Sequence, residues 1–94
     1  MTLEEWVAAR HPAVPADFAE WANPRDGSAP ASTAALVSEA KQALALAESP
    51  EGRPRGGAFD LLAADGFVTW ACEAALEEPD VDEALQRVLD ALME

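Results

Sequence analysis

A chain of 94 residues makes one domain and not two, and with half of its residues hydrophobic it falls outside the disordered class. Six basic residues face eighteen acidic ones, a formal charge of −12. Such a surface repels nucleic-acid phosphates and anionic lipid, which excludes direct binding to either, and it favours a basic protein partner or serves solubility alone.

The first predicted helix covers about residues 3–10. Thr2 and Glu5 stand at capping-box spacing, where hydroxyl and carboxylate satisfy free amides at the helix start. Leu3, Trp6 and Val7 give a narrow apolar face, and Pro12 ends the segment because the residue before a proline avoids helical geometry. A second short helix is expected at about 15–22. Pro15 suits its first position, Val14 is placed to staple onto Phe18, and Phe18, Trp21 and Ala22 repeat the apolar spacing. These two segments hold two of the three tryptophans and are expected to lie as a lid over longer helices. NPRDGSAPA, residues 23–31, reads as a turn-rich loop.

The third helix is expected at about 32–48, capped by Ser32 or Thr33. Leu36, Val37, Ala40, Leu44 and Ala47 mark one face, with Glu39, Lys41, Gln42 and Glu48 on or beside the other. SPEGRPRGG, residues 49–57, breaks this helix. A central helix follows at about 58–78. At about 100° per residue, Phe59, Ala63, Phe67, Trp70 and Ala74 share one side, and Leu61, Val68, Cys72 and Ala75 the opposite one. A helix apolar on two sides is wrapped by its neighbours. The last helix is expected at about 81–93. Asp80 and Glu83 open it with capping-box spacing, and Val81, Ala84, Leu85, Val88, Leu89 and Leu92 form its apolar stripe. The strand-like FVTW, residues 67–70, stays in helical phase. The reading is an all-α single domain, residues 1–94, with four to five helices around the central hydrophobic one.

Three sets of residues are candidate sites. Asp65, Thr69 and Glu73 recur every four positions along the central helix. They are either a polar seam lining a pocket or meeting a basic partner, or a solvated face that hydrogen-bonds to neighbours; no lysine or histidine lies near them to complete an acid–base pair. Gly66 interrupts the same helix at a cost of about 1 kcal/mol against alanine, which predicts close packing over it. Arg53 and Arg55, beside Gly56 and Gly57, form either an anion nest at a helix start or a flexible linker. Val81, Leu85, Val88 and Leu92 are the candidate self-association face, long for so small a chain. His11 stands alone, without metal-ligand spacing, and Cys72 among apolar neighbours reads as a structural thiol.

The segment LLAADGFVTWACEAALEE, residues 61–78, resembles a helix of the polyprenyl synthases. Asp65, Phe67, Ala71 and Glu73 match that helix, while Ala64 and Gly66 stand where it has a glycine and an alanine. The resemblance implies a tightly packed helix. That family builds its magnesium-diphosphate site from two DDxxD motifs; this chain has neither, so no activity or cofactor is carried over.

No apolar run approaches the roughly 20 residues that cross a membrane. The opening MTLEEWVAAR lacks the basic and apolar regions of a secretory signal, and a single cysteine suits a reducing compartment. The expectation is therefore a cytoplasmic, non-catalytic protein that needs no cofactor. It would act through protein–protein contact or as a homodimer. Two alternatives remain: a polyanionic decoy that occupies a basic nucleic-acid-binding protein, and a small ligand binder or enzyme using the Asp65/Thr69/Glu73 seam.

Overall fold

The computed structural model describes residues 1–10, 18, 22–48 and 54–93, with side chains from Ala58 onward in the last segment. Four helices lie among the described residues: α1 (Leu3–Ala8), α2 (Thr33–Ala47), α3 (Pro54–Ala75) and α4 (Val81–Leu92). The extended backbone pairing among them is one bridge between Thr2 and Pro30. The fold is all-α, with α2, α3 and α4 packed pairwise against one another. The helix expected at 15–22 lies outside the described residues, apart from Phe18, which packs against the core, and Ala22, which is buried.

The capping box forms at the start of α1. The Glu5 amide donates to Thr2 Oγ1 at 3.2 Å, and the Thr2 amide donates to Glu5 Oε1 at 3.1 Å. The next free amides find the loop at 23–31. Leu3 N–H donates to Ala29 O at 2.8 Å and Glu4 N–H to Gly27 O at 2.9 Å, so a six-residue helix too short to stand alone has its first amides satisfied. The loop runs so close beneath α1 that a Cβ at Gly27 would lie 2.9 Å from Glu4 Oε2 and 3.1 Å from Glu4 Cβ.

Ser32, not Thr33, caps α2: its hydroxyl accepts the Ala35 amide at 3.0 Å. Leu36, Val37, Ala40 and Ala43 are buried as one face. Two side chains depart from the expected phase. Leu44 is exposed, and Glu39, expected on or beside the outer side, is only 3% exposed. The reason is the returning loop. The Glu39 carboxylate accepts the Arg25 amide at 2.9 Å and the Asp26 amide at 3.0 Å, and a buried carboxylate is tolerated where hydrogen bonds replace its water.

α3 is 22 residues long, about 33 Å at 1.5 Å per residue. It starts earlier than expected and ends at Ala75 rather than at 78. There the amides of Glu77 and Glu78 turn to carbonyls three residues back, Ala74 and Ala75, a tightening typical of a last turn, and Pro79 cannot continue the ladder. Ala63, Ala64, Phe67, Ala71, Ala74 and Ala75 are buried. The Phe67 and Trp70 rings meet edge to face at 5.4 Å, and Phe18 lies 6.2 Å from Phe59. The helix packs against both α2 and α4, but it is not wrapped on its second apolar side: Val68 and Cys72 are half-buried against the core, while Leu61 is open. In α4, Asp80 Oδ1 accepts the Glu83 amide at 3.1 Å, and Ala84 and Val88 are buried.

Candidate functional site

The polar seam faces outward. Asp65, Thr69 and Glu73 are exposed. The Thr69 hydroxyl donates to the Asp65 backbone carbonyl at 3.0 Å, a bond within its own helix turn. Glu73 lies 3.9 Å from Arg10 Nη1. Arg10 is anchored in turn by α1: its Nε donates to Trp6 O at 3.1 Å, and its guanidinium sits 3.8 Å from the centre of the Trp6 ring, a cation–π contact. The sequence pattern therefore puts the three residues on one face without turning them toward a common point.

Leucines frame this face. Leu61 and Leu62 are 55% exposed at one end and Leu76 is 62% exposed at the other. At about 100° per residue, Leu61, Leu62, Asp65, Thr69 and Leu76 fall within one arc of about 100°. Gly66 adjoins it, and the close packing expected there is absent: a Cβ at Gly66 would meet no atom within 4 Å. The glycine is not explained by contacts among the described residues.

The other candidates are placed as follows. Arg53 lies outside the described residues, as does His11. Arg55 falls in the first turn of α3 by its backbone. Of the candidate self-association face, Val88 belongs to the chain's own core, and Val81, Leu85 and Leu92 are half-buried. Leu89, on the same helix, is 57% exposed. Cys72 is a half-buried free thiol.

A further polar group escaped the sequence reading. A cleft of about 490 Å³ opens where α1, the start of α2 and the turn before α4 meet, with Trp6, Ala31 and Ala74 in its lining and Thr33, Glu78 and Arg87 at its polar side. The Thr33 hydroxyl donates to Glu78 Oε2 at 2.6 Å, and Arg87 Nη2 donates to Glu78 Oε1 at 2.7 Å. The Thr33 bond first, and the Arg87 bond second, hold the Glu78 carboxyl below its ordinary range; Glu78 raises Arg87 in return. The group ties α2, the 76–80 turn and α4 together. Its only sequence signal is that Thr33 is left over once Ser32 caps the helix. Among the described residues, no three histidine, cysteine or carboxylate side chains are grouped to hold a metal ion, and no helix is long and apolar enough to cross a membrane.

Compared with family models, with curated proteins and with solved structures, the chain matches none.

Proposed function

We propose that this chain is a non-catalytic protein-interaction module. The observation that carries the reading is the set of large apolar side chains left open on an acidic surface: Leu61, Leu62, Leu76 and Leu89 are each more than half exposed. Leucines open to this degree along a helix offer contact area to another protein. The best-held acidic groups serve the architecture. Glu5 belongs to a cap, Glu39 to a loop, Glu78 to the inter-helix tie and Asp80 to a cap. This supports a binding role over acid–base chemistry. A cytoplasmic setting is part of the proposal, supported by the unpaired thiol of Cys72.

Self-association is the second form of the same reading, favoured by Leu89 beside the half-buried Leu85 and Leu92 on α4. Labelled chain added to an extract of its host, and run on size exclusion, tests the proposal. The expected result is elution well above the 9.9 kDa of the chain, returning toward it in a Leu61→Gln/Leu62→Gln variant. Elution of the native chain at its own mass in extract would contradict it. Sedimentation of the pure chain separates a dimer from a mixed complex.

A further inference from the structure

We infer that Asp26 is a modification site: its carboxyl cyclises onto the amide of Gly27, and water reopens the ring as isoaspartate. The chain carries Asp-Gly twice, at Asp26–Gly27 and at Asp65–Gly66. Glycine puts no side chain beside the attacking nitrogen, so both pairs have the composition for the reaction. The fold separates them. Asp26 and Gly27 lie in a turn closed by the Ala29 amide, which donates to Asp26 O at 3.1 Å. Such a turn uses its first carbonyl and its last amide and leaves the second amide uncommitted. Among the described residues, the Gly27 amide meets no acceptor. Asp26 is exposed, and its carboxylate accepts the Ser28 hydroxyl at 3.4 Å, a long bond that holds it loosely. Asp65 is exposed too, but Gly66 lies inside α3, where each amide is committed to the carbonyl four residues back.

In the first step the Gly27 nitrogen attacks Asp26 Cγ and an N–Cγ bond forms. One carboxyl oxygen leaves as water, taking the Gly27 amide proton and a proton from solvent. Water then opens the cyclic imide. Attack at Cγ restores aspartate. Attack at the backbone carbonyl breaks its bond to the Gly27 nitrogen, so the main chain runs through Cβ and Cγ and the old carbonyl becomes a free carboxylate. Nothing is oxidised or reduced, and mass and charge are unchanged. The main chain gains a methylene where its length matters. On one side, the amides of Arg25 and Asp26 are anchored on Glu39 of α2 at 2.9 and 3.0 Å. On the other, the carbonyls of Gly27 and Ala29 hold the Glu4 and Leu3 amides of α1 at 2.9 and 2.8 Å. The extra atom falls between these anchors, and the carbonyl that closed the turn leaves the main chain. Isomerisation therefore loosens α1 from α2.

The full native chain, aged in buffer at physiological temperature and pH, tests the inference beside the same chain aged in guanidinium chloride. Cleavage after glutamate releases residues 21–39 and 52–73, and electron-transfer fragmentation of these peptides distinguishes isoaspartate from aspartate at each site. In the unfolded chain the two pairs are expected to isomerise at comparable rates. In the native chain Asp65 is expected to lag Asp26 by about tenfold or more, because it must wait for α3 to open. Equal rates in the native chain, whether both slow or both fast, would overturn the inference. So would a gap that survives in guanidinium chloride, which would trace it to flanking residues and not to the turn. Hydrogen exchange reads the consequence. After ageing, the amides of α1 should exchange faster in the native chain but not in Asp26→Glu, whose longer side chain forms the imide far less readily. Unchanged protection of α1 in chains that carry isoaspartate would overturn the loosening.

Discussion

Glu39 shows how one residue fixes a loop. Its carboxylate accepts two amides of the 23–31 loop from a buried position on α2, and the same loop satisfies the first amides of α1. Glu39→Ala leaves both amides without that acceptor and should destabilise the fold by about 2–3 kcal/mol; Glu39→Gln keeps one acceptor and should lose less. Urea denaturation measures both, and an unchanged midpoint for the alanine variant would refute the clamp. Gly66→Ala runs the other way. With nothing near its Cβ, the variant should stabilise by about 0.5–1 kcal/mol through helix propensity and a less free unfolded chain; a destabilised variant would show a contact there after all.

Glu78 gives the pH prediction. Its folded carboxyl lies below the ordinary 4.5 because Thr33 and Arg87 hydrogen-bond to the charged form. The stabilisation is fully present above the unfolded value and fades as pH falls through the lower folded value. The stability gap between the native chain and Glu78→Gln should therefore stay level from about pH 8 to about pH 5.5 and close below about pH 4.5. A gap that does not shrink at all as the pH is lowered below the unfolded value would contradict this. These residue roles differ in how far they were legible. The Thr2/Glu5 box was readable because both partners are local. Glu39 was not, since helical phase leaves it at the margin of the buried face and says nothing of the loop that returns over it. The Glu78 tie joins positions 45 and 9 residues apart, a separation that sequence spacing does not encode.

At the scale of elements, the close approach of α2 and α3 rests on alanine. Ala40 and Ala43 on α2, and Ala63, Ala64, Ala71 and Ala74 on α3, are core residues, and small side chains permit short interaxial distances. Ala71 is fully buried within this small-residue contact. Ala71→Leu should cost about 1–3 kcal/mol by overpacking, read as a lower thermal midpoint; a variant as stable as the native chain would mean that the helices sit further apart. Helix existence was legible here because the apolar spacing is regular and caps stand at the right positions. The depth of each face was not. Leu61 continues the apolar phase of α3 yet lies open, because phase gives direction around a helix but not whether a neighbour lies there. The end of α3 was misjudged by three residues because the amides of its last turn shift to three-residue spacing before Pro79.

The whole molecule carries −12 on 94 residues. Like charges at that density oppose compaction, and salt shortens their reach from about 30 Å at 0.01 M to about 3 Å at 1 M. Raising sodium chloride from about 20 mM to about 500 mM should raise the thermal midpoint by several degrees, where about 4–8 °C corresponds to ~1 kcal/mol. A midpoint that falls would mean that attractive pairs such as Glu78–Arg87 outweigh the repulsion. The most direct test of the binding role is affinity co-purification from host extract, with the native chain and the Leu62→Gln/Leu76→Gln variant as paired baits, at low and at high salt. The account predicts a basic protein retained by the native bait, reduced at high salt, and lost from the variant at both. Identical proteins on the two baits, or none above bare resin, would contradict it.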